Sequence, residues 1–153
     1  MHKRAQSWGT WLAPAILLLI LGAGGASLAG SGRSQSDRHS LKNKVSELKS
    51  EAGTGRLVAE QALAGNLTRT YVEAQSEQMT KGVVQTLSGL SPDEFEPRLD
   101  SKVMQAADLA RRLEGALKSL HDAGDGGRAA ESARNNLGGL YGELSELEAG
   151  LKE

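Results

Sequence analysis

Residues 99–151, LDSKVMQAADLARRLEGALKSLHDAGDGGRAAESARNNLGGLYGELSELEAGL, decide the fold. Leu99, Val103, Ala106, Ala110, Leu113, Leu117 and Leu120 recur in unbroken four-then-three steps, the spacing of one face of an α-helix. Ala107, Leu109 and Ala116 widen that stripe beyond a two-stranded seam, as a bundle helix requires. Asp108–Arg112 and Glu114–Lys118 set acid before base, one helical turn apart, on the wet side. His121–Arg128, HDAGDGGR, reads as a turn. Beyond it Ala130, Ala133, Leu137, Leu140, Leu144, Leu147 and Leu151 repeat the same spacing. Two matched amphipathic helices joined by a short glycine-rich turn predict an antiparallel hairpin. Its expected core is Leu99, Val103, Leu113 and Leu117 against Leu137, Leu140, Leu144 and Leu147.

Upstream, Ser91-Pro92-Asp93-Glu94 reads as a helix start: Ser91 as N-cap, Pro92 at the first helical position and Glu94 completing a capping box. Pro97 restarts or reorients the chain. Earlier still, Leu41, Val45, Leu48, Ala52, Gly55, Ala59 and Ala62 form a heptad seam whose residues shrink along its length. Gly53-Thr54-Gly55 threatens to interrupt it, since each interior Gly costs about 1 kcal/mol relative to Ala. Helical character resumes through Val58, Leu63, Leu67, Tyr71 and Ala74, then Val83, Val84 and Leu87. The expectation is one long, kinked helix from about Asp37 to Leu87. With the hairpin it makes residues 41–153 an all-α three-helix bundle.

A second regularity is a line of small residues, Gly138, Gly142, Ser145 and Ala149, beside the leucine seam of the last helix. Ala52, Gly55, Ala59 and Ala62 make a comparable line on the first. Small contact residues let helix axes approach at the short end of the ~8–10 Å range. The two lines are expected to meet, within one bundle or between two chains; the competing reading is that the glycines of the last helix sit in solvent. Alanine-rich seams bury little area. A lone three-helix unit of this kind is marginal, and a membrane tether or partner helix is expected to complete it.

The other decisive stretch is Trp8–Ala29, WGTWLAPAILLLILGAGGASLA, which carries no charge and follows Lys3-Arg4. As a helix at ~1.5 Å per residue it is long enough for a ~30 Å hydrocarbon core. Read as an anchor, Trp8 and Trp11 form an interfacial belt and Leu12, Leu18 and Leu21 lie in the apolar span. Gly22, Ala26 and Gly30 then offer a small-residue face for association with other spans. Read as a signal peptide, Lys3-Arg4 is the charged region, Leu12–Leu21 the apolar region, and Ser27-Leu28-Ala29 the cleavage site before Gly30. Leu28-Ala29-Gly30-Ser31 has Ser where a lipobox has its cysteine, so lipidation is not inferred. The expected organisation is residues 1–29 as anchor or signal, 30–40 as a polar flexible linker, and 41–153 as the bundle.

Composition narrows the function classes. Beyond residue 32 lie all 19 acidic residues and 16 of the 18 basic ones, a net charge of −3 and no basis for nucleic-acid binding. The absence of cysteine removes disulfides, thiolate metal sites and cysteine nucleophiles. His2, His39 and His121 show no metal-ligand spacing, and neither a phosphate-binding loop nor a serine-nucleophile motif occurs. Asn66-Leu67-Thr68 spells a glycosylation acceptor, but within a stretch that reads as helix. No catalytic residue, cofactor or metal is therefore expected. The sequence points to a non-enzymatic protein of the cell envelope, held by one membrane span with its helical domain outside the cytoplasm. It would work as scaffold, adaptor or accessory subunit, through helical contacts with other envelope proteins or with itself. The alternative is a secreted or periplasmic binding module released by cleavage after Ala29.

Overall fold

The computed structural model describes residues 33–124 and 127–152. Among them are four α-helices and no strand: α1 (Arg33–Leu63), α2 (Arg69–Ser88), α3 (Asp100–Ala123) and α4 (Gly127–Ala149). The apolar run Trp8–Ala29, with Trp8, Trp11, Leu12, Leu18 and Leu21, lies outside the described residues. No described helix is long and apolar enough to cross a membrane.

The expected single helix from Asp37 to Leu87 is two helices, so the bundle has four walls rather than three. The break falls at Ala64–Thr68 and is built from helix-end chemistry. Gly65 takes φ +72°, a left-handed conformation that glycine adopts without steric penalty. The Asn66 amide donates to the Gln61 carbonyl at 2.9 Å, and the Gly65 amide to that of Ala62 at 3.0 Å, a Schellman closure of α1. Two residues on, Thr68 caps α2 by accepting from the Tyr71 amide at 3.3 Å. Asn66, expected inside a helix, is exposed in this turn, its side-chain amide donating to Gln61 at 2.8 Å. Gly53 and Gly55 do not interrupt α1. Tertiary packing of the seam around them outweighs their poor helix propensity.

Two smaller expectations also shift. Residues 33–40, expected as linker, belong to α1; once the seam from Leu41 is packed, each residue added at the end gains a hydrogen bond without a new nucleus. Ser91–Glu94 forms no capping box. Ser91 makes no side-chain cap, and the segment closes as a 3₁₀ turn at Pro92–Glu94, followed by another at Pro97–Leu99. The second proline leaves no room for an α-helix between them. Leu90, Phe95 and Leu99 are buried along this connection and close that end of the core.

Cross-helix pairs fix the topology. Glu47 meets Thr86 and Glu51 meets Gly82, so α1 and α2 are antiparallel. His121 near the end of α3 approaches Glu73 near the start of α2, and Arg112 pairs with Glu143 between α3 and α4. Lys49 pairs with Glu148 while Arg56 lies against Gly138, which makes α4 antiparallel to α1. The chain thus runs up, down, up, down, and α4 closes against α1. Between α3 and α4, Gly124 at φ +62° turns the chain while its amide donates to the Leu120 carbonyl at 3.2 Å. Leu99, Val103, Leu113 and Leu117 of the 3₁₀ turn and α3, and Leu137, Leu140, Leu144 and Leu147 of α4, are all buried in the common core. Val72, Met79 and Val83 of α2 join them. The fourth wall is α2, the second part of the segment expected as one helix.

Candidate interaction surface

The small residues of α1 and α4 do not face each other. Ala52, Gly55, Ala59 and Ala62 are buried in the α1 seam. A β-carbon at Gly55 would stand 3.3 Å from Leu137 Cδ1, so the small side of α1 receives a leucine of α4. On α4, Gly138 is half-buried, with Arg56 Cδ 3.6 Å from where its β-carbon would be, and Gly142 has open space above it. Ser145 is half-buried, its hydroxyl donating to the Tyr141 carbonyl at 2.8 Å, and Ala149 is exposed. The physical reason is volume matching. A close-packed interior sets small against large, and small against small would leave a void. Within the bundle the expected meeting of the two lines is overturned. The α4 line lies along the outer edge of the α1–α4 contact.

That edge carries two side chains that the periodicity did not single out. Leu57 of α1 is 57% exposed and Tyr141 of α4 is 40% exposed. The Tyr141 ring lies over Gly53, where a β-carbon would come within 3.3 Å of Cε2. With Arg56 they line a shallow groove of about 260 Å³. Ion pairs flank it, Lys49–Glu148 on one side and Arg56–Glu60 at 2.9 Å on the other. Leu57 falls off the four-three seam and Tyr141 sits among glycines. Those positions are the only sequence signals that mark the pair.

The α1–α2 contact is polar instead. Thr86 donates its hydroxyl to Glu47 at 3.1 Å, and Lys44 lies over Gly89. Glu51 is half-buried, and a β-carbon at Gly82 would stand 3.1 Å from its Oε1. Burial, and secondarily the neighbouring Glu47, push the Glu51 carboxyl above its ordinary range. These side chains line a groove of about 390 Å³ that offers carboxylates, an ammonium and hydroxyls.

Elsewhere His121, expected in a turn, is on the last turn of α3 with Nδ1 3.2 Å from the Glu73 carbonyl oxygen. No group of three or more His, Asp or Glu side chains converges as metal ligands among the described residues. Comparison with known proteins adds no assignment: no family model, curated protein or solved structure matches the chain.

Proposed function

We propose that this chain is a non-enzymatic scaffold, adaptor or accessory subunit of the cell envelope. In this reading Trp8–Ala29 spans a membrane and holds the four-helix bundle outside the cytoplasm. The observation that carries it is the α1–α4 edge, where Leu57 and Tyr141 stand open together on one groove, beside the unfilled glycine positions of α4 and between ion pairs. Exposed apolar side chains beside helical glycines suit a second helix, from another envelope protein or another copy, laid along the groove.

The experiment is intact mass and carbonate extraction of the native protein, followed by photo-crosslinking from residues 57 and 141. A full-length, carbonate-resistant chain that crosslinks from these positions and not from exposed Ser101 supports the reading. A soluble chain beginning at Gly30 overturns the tether and favours the secreted module. One feature is compatible with that second reading: the buried core of the described residues begins at Leu41, so a cut after Ala29 leaves it whole.

A further inference from the structure

The cations of the bundle behave differently along its length. Lys49, Arg56, Arg69, Lys81, Arg112, Lys118 and Arg134 each pair with a carboxylate. Arg111 of α3 and Arg128 of α4 stand singly without an ion pair to a described residue, whereas at one end of the bundle several such cations gather. Arg38 and Lys42 near the head of α1, Arg98 in the second 3₁₀ turn, and Lys152 beyond α4 make no ion pair with a described residue. Arg38 borders two open grooves of about 260 Å³ each. One is completed by Gln35, Glu96, Arg98 and Leu99, the other by Gln35, His39, Lys42, Leu151 and Lys152. Four cations and a single carboxylate, Glu96, thus line the two grooves, above a floor of buried leucines. Such a rim over an apolar floor suits a phosphate carried on an apolar body, because Arg and Lys keep their charged heads out while their stems cover apolar surface.

The covalent chain says which phosphate. The apolar run ends at Ala29 and α1 begins at Arg33, four Cα-to-Cα steps that reach at most about 14 Å when fully extended. If the run spans a bilayer, as proposed above and as this inference requires for its geometry, that end of the bundle stays beside the headgroups.

We propose that the leader-proximal end of the bundle is a docking surface for anionic phospholipid headgroups, with Arg38, Lys42, Arg98 and Lys152 as the phosphate-binding cations. The tether supplies proximity. The four cations supply orientation, holding the bundle end-on to the membrane, with Glu96, the nearby Asp37 and Glu148, whose carboxylate already feels Lys42 and Lys152, limiting the attraction.

The chain has no cysteine, so a single Ser36→Cys can carry a fluorophore beside the grooves, and Ala129→Cys one at the α4 start, the far end. The full chain is mixed with vesicles of phosphatidylcholine alone or of phosphatidylcholine with phosphatidylglycerol. Flotation and quenching by a water-soluble quencher are then measured. Each cation is expected to shift docking about fivefold. Quenching at residue 36 should therefore fall severalfold on adding phosphatidylglycerol, recover at high salt, and be insensitive to lipid in Arg38→Gln/Lys42→Gln/Arg98→Gln/Lys152→Gln. Quenching at residue 129 should not change. Flotation with both vesicles but equal quenching at residue 36 overturns the docking surface and leaves the tether standing. Flotation with anionic vesicles alone overturns the tether and, with it, the tethered docking proposed here; flotation with neither overturns both. Loss of helicity in the four-site variant would not spare the proposal, since the lipid comparison on the unsubstituted grooves decides it.

Discussion

Gly55 of α1 faces Leu117 of α3 at a distance that admits no side chain: a β-carbon on residue 55 would lie 2.8 Å from Leu117 Cδ2. Leu117 is itself buried, and Leu137 closes the other side, so neither leucine can step away cheaply. Gly142, one of the open positions on α4, has nothing within 4 Å of its missing β-carbon. The two glycines should answer substitution with opposite signs. Gly55→Val is expected to lower stability by about 3 kcal/mol through overpacking. Gly142→Ala should raise it by up to about 1 kcal/mol through helix propensity. Urea denaturation midpoints measure both, and a loss at Gly142 would contradict its open position.

Gly65 distinguishes two helices from one. In a continuous helix Gly65→Ala would stabilise by about 1 kcal/mol. At φ +72° the same substitution forces alanine into a left-handed conformation and should cost about 1 kcal/mol or more. The sign of the change in melting temperature is the readout.

Acid should act on two carboxylates in opposite directions. Glu143 is held below the ordinary carboxylate range, first by its hydrogen bonds from Arg112 at 2.6 and 2.7 Å. A depressed carboxylate contributes stability above its unfolded value and loses it as pH falls through the folded one. Glu143→Gln should therefore destabilise at neutral pH, by no more than about 1 kcal/mol for a solvent-screened pair, and the difference should fade in acid. Glu51 is raised above 4.5 by burial and Glu47, so its ionised form opposes folding at neutral pH and protonation relieves it. Glu51→Gln should stabilise at neutral pH, with the gain shrinking as pH falls through the raised value. Thermal melts across the acid range check both.

Leu113 and Leu144 are fully buried on facing helices of the hairpin. Each Leu→Ala change should cost about 3 kcal/mol. Leu57→Ala, on the open edge, should move stability by less than about 0.5 kcal/mol. A similar loss at all three sites in urea denaturation would show that the α1–α4 edge is closed in solution.

The α3–α4 hairpin was legible because Leu99–Leu120 and Ala130–Leu151 keep one period without interruption, and period reports which face is buried. The α1–α2 break was not. Apolar residues continue at nearly helical spacing from Val58 to Tyr71, and Gly53 and Gly55 look more disruptive than Gly65. Which glycine ends a helix depends on its neighbours: Gly65 is followed by Asn66 and the Thr68 cap, whereas Gly55 is pinned between Leu117 and Leu137. Spacing also revealed the small residues of α1 and α4 without revealing what each line faces, because a helical period carries no information about its partner. Leu57 and Tyr141 went unmarked for a related reason: they belong to no seam.

The parity of the bundle has a mechanical consequence. An even number of antiparallel helices returns the chain to the end it started from, and Leu151 and Lys152 duly line a groove with Arg38 and Lys42. A load applied between residues 33 and 152 would pull α1 and α4 apart from their shared end, one turn after another, instead of sliding them past each other along their whole length. Peeling breaks few contacts at a time, so the molecule should yield to tension at low force. With three helices the same two points would sit at opposite ends, and the same load would have to shear the core.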